Sequence, residues 1–335
     1  MKHPFVIASI IAVLTAATHQ PIQAQTASPV SGSPEANKAL IRSFYDKVLN
    51  ASDPSAVDSL VSTDYQYGSG IPTGLAAYKQ YLAAFQKAVP NYTTYIQDMI
   101  AEGDWVAVRS FDTGTQQDVL NKVPATGKDF SVQTADLYRI ANGQLIAHIG
   151  IFDNLGVFEQ LGVVKAPQLS VIPPVQATTA TLSATDSATL SATTTNVPQV
   201  TLDANKTLVK AVETALYSGD NATVDKLVNV NYVYHGLGGQ GSAGLEKSFA
   251  DFRAAFADFH IDVLNVVAER DMVVIYTTFT GTQQAPFLGI PSTGKAIKTY
   301  TIDFYRIQNG QISDHWDVVD YFAVLQQLGL IPSGQ

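Results

Sequence analysis

The sequence predicts an α+β protein with two tandem domains, in each of which helices pack on a curved antiparallel sheet. Two observations lead to this fold class. The second half of the chain repeats the first half, block by block. Within each half, patterns typical of helices come first, and patterns typical of strands fill most of the remainder.

The repeat consists of near-identical blocks at a constant separation. DLYRI at Asp136–Ile140 recurs as DFYRI at Asp303–Ile307, displaced by 167 residues, and NGQ at Asn142–Gln144 recurs at Asn309–Gln311. A period this long indicates a duplicated globular domain, because the repeats of solenoid proteins are much shorter. Two more pairs of blocks share the displacement, namely Gly114–Gln117 with Gly281–Gln284 and Pro124–Lys128 with Pro291–Lys295.

Residues 1–24 have the layout of a secretory signal peptide. A short basic start precedes the apolar run Phe5–Ala17, and a polar stretch then ends in the small residue Ala24. The apolar run is shorter than the ~20 residues that a spanning helix needs, although a retained membrane anchor is the alternative. We therefore expect cleavage after Ala24 and a periplasmic or secreted protein with no membrane association after cleavage.

A tract without aromatic residues separates the two copies. Residues 166–200 are rich in Thr, Ser, Ala and Pro and have almost no charge, which predicts an extended linker. A glycosylated stalk and an additional strand are the alternatives. The predicted domains are then domain 1 at 35–165 and domain 2 at 201–332, and a linker of this length would let them pair within one chain.

The helices of each domain follow from apolar spacing and capping residues. The first helix is predicted at Asn37–Leu49 and Asn205–Leu216, and Asp53 and Asp220 are expected to cap the short second helix. The remaining helices are predicted at Val57–Val61, Leu75–Val89 and Val157–Leu161 in domain 1, and at Val224–Val228, Leu245–Phe256 and Phe322–Leu328 in domain 2.

The strands follow from alternating apolar residues between turn signals. Asn142-Gly143 and Asn309-Gly310 each predict a two-residue hairpin turn between the last two strands of a domain. The strands are expected at Tyr65–Tyr67, Tyr92–Glu102, Trp105–Gly114, Phe130–Ile140 and Leu145–Phe152, and at Tyr232–Tyr234, Ile261–Glu269, Met272–Gly281, Ile297–Ile307 and Ile312–Val319.

Composition argues against several classes of protein. The chain has 46% hydrophobic and 15% charged residues, typical of a globular protein, and no cysteine, so each domain depends on its own core. A net charge of −9 argues against nucleic acid as a partner. No two histidines have the spacing of zinc ligands, and no nucleotide-binding or nucleophile motif is present, so we expect no metal and no other cofactor.

The motifs of domain 2 resemble those of the SnoaL-like polyketide and ester cyclases, a family of the NTF2-like superfamily. The matching segments are NYVYHG (Asn231–Gly236), GTQQAPFLGIPSTGK (Gly281–Lys295), IDFYRIQNGQI (Ile302–Ile312) and DHWDVVD (Asp314–Asp320). The resemblance implies two NTF2-like cone domains. It also implies a cofactor-free cyclase or isomerase, although the superfamily includes hydrolases and pure binding proteins on the same fold.

The last hairpin of domain 2 supplies the candidate catalytic residues. The resemblance places the family's acid/base aspartate on Asp317, and His315 shares its face because the two are two residues apart on a strand. An ideal two-residue turn would put Asp317 opposite Ile302 and His315 opposite Phe304, with Tyr300 nearby. Such neighbours would raise the pKa of Asp317, which would then exchange a proton with a carbon acid while His315 orients it or shares the proton.

Further candidates surround this pair. A second polar residue of the family pocket falls near Asp303, but ideal pairing puts Asp303 opposite Trp316, so only a bulged hairpin would bring it beside Asp317. His235 is expected at the pocket mouth, with a surface turn as the alternative, and Gln283 stands where the family often has histidine. The residues proposed to bind substrate are His235, Trp316, Tyr300, Phe304 and Gln283, with a place in the core as the alternative for Trp316.

Domain 1 has lost part of this set. Gly150 aligns with Asp317, whereas His148 and Asp136 align with His315 and Asp303. Because glycine cannot transfer a proton, the same mechanism is not available in domain 1. We expect domain 1 to be a degenerate partner.

Three functions fit the sequence. The first is an exported, cofactor-free cyclase or isomerase that acts on a small apolar or carbonyl-containing molecule through Asp317. The second is a ligand-binding or interaction protein without enzymatic activity, and the third is an epoxide-type hydrolase. A closed cavity with Asp317 pointing inward favours an enzyme, whereas Asp317 in solvent favours the binding protein.

Overall fold

The computed structural model describes residues 32–68, 73–165, 199–236, 239–287 and 289–331. The signal peptide predicted for residues 1–24 and nearly all of the linker predicted for residues 166–200 lie outside these ranges, so both stay predictions. Within the described ranges, no helix is both long enough and apolar enough to cross a membrane.

The helices occur where the apolar patterns and caps predict them. The side chain of Asp53 accepts a hydrogen bond from the N–H of Ser55 (2.9 Å), and Asp220 accepts one from Thr223 (3.2 Å), so both predicted caps are confirmed. The helices are α1 Pro34–Phe44, continued by the π-helical turn Tyr45–Asn50, α2 Pro54–Leu60, α3 Leu75–Ala88 and α4 Asn154–Gln160 in domain 1, and α5 Gln199–Ser218, α6 Asn221–Leu227, α7 Gly241–Ala255 and α8 Tyr321–Leu328 in domain 2.

Each domain has a five-stranded sheet, which confirms the α+β fold class. The strand orders are β1-β5-β4-β3-β2 and β6-β10-β9-β8-β7, antiparallel except for the parallel pairs β1/β5 and β6/β10. The strands are β1 Val61–Tyr67, β2 Thr93–Glu102, β3 Trp105–Thr115, β4 Asp129–Ala141, β5 Gln144–Phe152, β6 Val228–Tyr234, β7 His260–Glu269, β8 Met272–Thr282, β9 Ala296–Gln308 and β10 Gln311–Val319.

The two Asn-Gly pairs form the predicted hairpin turns. Asn142 and Gly143 have φ angles of 53° and 71°, and Asn309 and Gly310 have φ angles of 53° and 75°. Two successive residues with positive φ define the turn that matches the twist of a two-residue hairpin.

The β9–β10 hairpin is bulged, and the ideal pairing expected for it is wrong. The register shifts between Ile312 and Asp314, so that Ser313 has no partner on β9. Asp317 then lies opposite Asp303 rather than Ile302, and His315 lies opposite Tyr305 rather than Phe304. Asp303, Tyr305, His315 and Asp317 therefore share one face of the sheet.

The face that carries these four residues is covered by the helices of domain 2. Tyr305 packs there in a core with Val209 and Val212 of α5 and Tyr232 of β6. The helices thus enclose the space into which the polar side chains of the hairpin project.

The opposite face of each sheet packs against the other domain. Ile302 and Phe304 of β9 belong to a buried cluster with Leu137 and Ile149 of domain 1. The cluster also includes Ile100, Ala107, Ala135, Ile151, Val267, Met272, Val274, Tyr276, Tyr300, Trp316 and Val318. The two sheets are therefore paired within one chain through their apolar outer faces.

Three of the residues expected to bind substrate lie in this interface. Tyr300, Phe304 and Trp316 are buried between the sheets and do not line the cavity of domain 2. The expectation that Tyr300 and Phe304 lie beside Asp317 and His315 is wrong, because the bulge turns them to the opposite face. Trp316 lies on that face because it alternates with its neighbours His315 and Asp317 along β10.

Two equivalent ion pairs flank the interface. Glu269 accepts hydrogen bonds from the ammonium of Lys38 (2.5 Å) and the N–H of Ala101 (2.8 Å). At the equivalent place, Glu102 accepts from Lys206 and from the N–H of Ala268. Each carboxylate thus binds both a charged group and a backbone group of the other domain.

We expect Glu269→Ala to lower the free energy of unfolding by about 2 kcal/mol, because it removes hydrogen bonds to a charged group and to a backbone N–H. Lys38, whose side chain is only 6% exposed, would lose the less exposed of two acidic partners and keep Glu35, whose side chain is 65% exposed. Urea unfolding measures the change. The control is Asp58→Ala, which breaks the exposed pair with Lys79 and should cost about 0.5 kcal/mol or less. Equal losses in the two variants would contradict the interface argument.

Candidate active site

Domain 2 contains a cavity of about 750 Å³ between its helices and the inner face of its sheet. Aromatic and aliphatic side chains form much of the wall, among them Phe249, Phe252, Phe256, Phe279, Phe287, Ile290 and Leu325. The polar part of the wall includes Glu213, Tyr217, Tyr234, Thr301, Asp303, His315 and Asp317. The three residues predicted to be catalytic therefore meet at one cavity.

His315 is fixed in position on all sides. Its Nε2 lies 3.0 Å from Oδ1 of Asp303, and its Nδ1 lies 2.8 Å from the hydroxyl of Tyr232. The rings of Tyr305 and Tyr234 stack on its two sides, with centroid separations of 4.2 and 5.0 Å. His315 therefore orients Asp303 directly, whereas the expected direct contact with Asp317 is not the one formed.

Asp303 is a buried acid whose pKa is raised. Burial raises the pKa of its carboxyl to about 7, although a hydrogen bond donated by the hydroxyl of Thr301 opposes the shift. Burial also lowers the pKa of His315, opposed by the negative charges of Asp317 and Glu213. The pKa of the Asp303 carboxyl therefore lies close to neutral pH, beside an imidazole whose pKa is lowered.

Asp317 lines the cavity and remains half-buried. The hydroxyl of Tyr234 donates a hydrogen bond to Oδ2 (2.8 Å), and Oδ1 lies beside Gly236, where an added Cβ would approach it to 2.6 Å. Burial raises the pKa of Asp317, and the charge of Asp303 adds to the shift, while His315 and Tyr234 oppose it.

Glu213 is a third buried acid, and the sequence reasoning missed it. It projects from α5 into the polar part of the cavity, where Tyr305 donates a hydrogen bond to Oε1. Burial raises its pKa, and the neighbouring Asp303 raises it further. The available signal was its position on the apolar stripe of α5 with Val209 and Val212, where a charged residue needs a partner.

Four titratable groups with shifted pKa values lie close together in the polar part of the cavity. Three carboxyls with raised pKa values surround one imidazole whose pKa is lowered. Such groups titrate as a coupled set, so protons are shared among them. A site of this kind can both accept and return a proton near neutral pH.

His235 and Gln283 lie outside the cavity wall. His235 stacks on Trp316 at a centroid separation of 4.3 Å, on the side of the hairpin that faces domain 1. Gln283 is fully buried and binds its own loop, because its amide oxygen accepts from both the N–H (3.2 Å) and the hydroxyl (2.8 Å) of Thr293. Gln116 makes the same contacts to Thr126 in domain 1, so this glutamine shapes the loop in both copies.

The equivalent place in domain 1 keeps a histidine–aspartate pair but has no room for a second aspartate. His148 Nε2 lies 2.6 Å from Oδ1 of Asp136, and Tyr45, which replaces Glu213, donates to Oδ2 (3.0 Å). A Cβ added to Gly150 would lie 2.6 Å from Asp136. Tyr45 packs with other tyrosines of domain 1 in one buried core, including Tyr65, Tyr78 and Tyr138.

Comparison with known proteins identifies both copies. The SnoaL-like polyketide cyclase family model matches residues 39–161 and again residues 206–328. No curated protein matches the chain.

Solved structures similar to the chain each correspond to one domain. TsrD from Streptomyces laurentii is 24% identical (TM-score 0.38), and the match covers 40% of this chain and 100% of TsrD. AclR from Streptomyces galilaeus is 26% identical (TM-score 0.36; 39% and 99% covered), and IdmH from Streptomyces antibioticus is 25% identical (TM-score 0.34; 38% and 99% covered). With both matched segments spanning most of the sequence, this chain belongs to the SnoaL-like polyketide cyclase family, in two tandem copies.

Proposed function

We propose that domain 2 is a cofactor-free cyclase or isomerase for a small carbonyl-containing molecule, with Asp317 as its acid/base. Membership of the SnoaL-like family supports this class of reaction. The observation that carries the assignment is the placement of Asp317 in the cavity wall, where the hydroxyl of Tyr234 donates a hydrogen bond to its Oδ2.

Asp317 is better placed than the other two acids to touch a ligand. Asp303 and Glu213 are more deeply buried, with only 8% and 6% of their surface exposed. Asp317 is half-buried, and its accessible part faces the cavity. Asp303 and His315 then act through Asp317, because the charge of each affects the pKa of its carboxyl.

The proposed step is a proton transfer at carbon. The carboxylate of Asp317 takes a proton from the carbon next to a carbonyl group, and the electron pair of the broken C–H bond forms an enolate. In an isomerisation, the protonated Asp317 returns the proton to another atom of the same molecule. In a cyclisation, the enolate carbon bonds to a second carbonyl carbon, and the resulting alkoxide takes the proton back.

The cavity wall also indicates the charge of the substrate. Among the residues that the structure describes, no lysine or arginine lines the cavity, whereas Glu213, Asp251, Asp303 and Asp317 do. A ligand carboxylate would find no counter-ion there, and its burial would be costly. We therefore propose a substrate without a negative charge, whose apolar part contacts the phenylalanine side chains of the wall.

The proposal predicts the effect of Asp317→Asn, which keeps the size of the side chain but cannot exchange a proton. Small ketones, esters and lactones are screened for conversion, and kcat of each variant is then compared with that of the unchanged protein. We expect Asp317→Asn to lower kcat by about 10²–10⁴-fold, the usual contribution of general acid–base catalysis.

The matched control is Asp136→Asn, which changes a buried aspartate of domain 1 and should leave turnover nearly intact. Full activity of Asp317→Asn would refute the proposed mechanism. Binding of a ketone or ester without conversion, in the unchanged protein, would instead favour a ligand-binding protein. Opening of an epoxide by water would favour a hydrolase.

The raised pKa of Asp303 predicts a pH-dependent contribution to stability. Its pKa is about 7 in the folded protein and about 3.9 in an unfolded chain, so folding favours the protonated form. The stability that this group contributes is present in full below about pH 4, and it is lost as the pH rises through 7. We expect the wild-type protein to lose stability relative to Asp303→Asn across this range, measured by urea unfolding at successive pH values.

Asp53→Asn provides a control of opposite sign, because Asn also caps helices. Hydrogen bonds from Ser55 lower the pKa of Asp53 in the folded protein. Its contribution is therefore present above the unfolded pKa and lost as the pH falls. If the difference between wild type and Asp303→Asn did not change with pH, Asp303 would not be the buried acid described above.

A further inference from the structure

The side chain between the two catalytic candidates faces domain 1. Trp316 lies between His315 and Asp317 on β10, and because side chains alternate along a strand, its ring points away from the cavity. The short backbone segment that carries Trp316 therefore also carries the two side chains that project into the cavity.

Three side chains hold the ring of Trp316. The imidazole of His235 is parallel to it within 6°, at a centroid separation of 4.3 Å. The guanidinium carbons of Arg109 and Arg306 lie 4.9 and 5.1 Å from its ring centroid. Stacking of arginine on an indole ring is favourable, particularly where the pair is removed from water.

Arg109 belongs to domain 1 and is itself held firmly. It lies on β3 and is only 8% exposed. Its Nε donates to Oδ2 of Asp98 (2.9 Å), a second nitrogen donates to the same carboxylate, and Nη1 donates to the amide oxygen of Gln97 (2.6 Å). Domain 1 thus places a cation, held by hydrogen bonds, against the face of the β9–β10 hairpin that points away from the cavity.

The stacked rings of His235 and Trp316 are connected to the cavity by backbone bonds and hydrogen bonds. The N–H of His235 donates to the carbonyl oxygen of His315 (2.9 Å). The residue before His235 is Tyr234, whose hydroxyl donates to Asp317. A displacement of Trp316 or His235 would therefore move both Asp317 and its hydrogen-bond donor.

This contact occurs on one side of the interface only. The ion pairs at Glu102 and Glu269 are equivalent in the two copies. The residues equivalent to Arg109 and Trp316 are Tyr276 and Ile149, which cannot form a pair of cation and indole. The contact between Arg109 and Trp316, which has no equivalent in the other copy, thus lies on the outer face of the hairpin that carries Asp303 and Asp317.

We propose that Arg109 of domain 1 is a positioning residue for the acid/base site of domain 2, acting through Trp316. This inference rests on the proposed function of Asp317. It assigns to domain 1 a part in the reaction, although the described residues that line the cavity all belong to domain 2.

The test uses the full chain with the double change Arg109→Met/Asp98→Asn. Methionine keeps an apolar stem without the guanidinium, and asparagine avoids an unpaired carboxylate. The matched control is Arg139→Met/Asp104→Asn, since Arg139 also pairs with an aspartate (2.7 Å) and lies over an indole, that of Trp105 (5.8 Å).

The first measurement is the pH titration of the His315 ring by NMR, which needs no substrate. The groups that face this ring are Glu213, Asp303 and Asp317 and the tyrosines 232, 234 and 305. We expect the titration midpoint to shift in the Arg109 variant and to stay at the wild-type value in the control. An unchanged midpoint, with both variants destabilised alike, would show a merely structural role and overturn the proposal.

The second measurement is turnover of a substrate found in the screen. Misplacement of reacting groups can cost up to about 10²-fold, so we expect kcat to fall by about 10-fold with little change in KM. Arg109→Lys, which keeps the charge but not the planar stack, should recover only part of the loss. A shifted titration together with full activity of Asp317→Asn would refute the proposed function but leave the positioning contact established.

Discussion

A single additional residue in β10 determines which side chains of domain 2 can act together. Because the side chains of a strand alternate between its faces, a shift of one residue moves every later side chain to the other face. With Ser313 unpaired, Asp303 lies opposite Asp317, and both face the cavity. Domain 1 has the same shift at Ile146, where Asp136 lies opposite Gly150, so the bulge belongs to both copies.

The two faces of each sheet have separate tasks. The inner face lies under helices and, in domain 2, surrounds a cavity, while the outer face is apolar and is buried by the other sheet. In domain 1 the same scaffold holds tyrosines where domain 2 has Glu213 and a cavity wall. The inner face of a domain can therefore change while its outer face is kept, because different side chains of the same strands form the two faces.

The sequence predicts most of the fold because the relevant signals are local. Alternation, apolar spacing, aspartate caps and the Asn-Gly pairs place the elements of both domains close to their observed bounds. The bulge at Ser313 leaves no comparable signal, and this is why the sequence places Phe304 and Tyr300 in the pocket although they face domain 1. Glu213 comes from a helix distant in sequence, so its contact with the hairpin depends on how the helix packs on the sheet.

Because both sheets belong to one polypeptide, the two sides of their interface can acquire different substitutions. In a symmetric homodimer, every substitution is present twice, so a new arginine meets both copies of its surroundings. In this chain Arg109 and Trp316 each occur on one side, and their encounter does not depend on protein concentration because the partners are covalently joined. Two copies in one polypeptide thus have the freedom of a heterodimer without the need to select between partners, and dilution does not separate them.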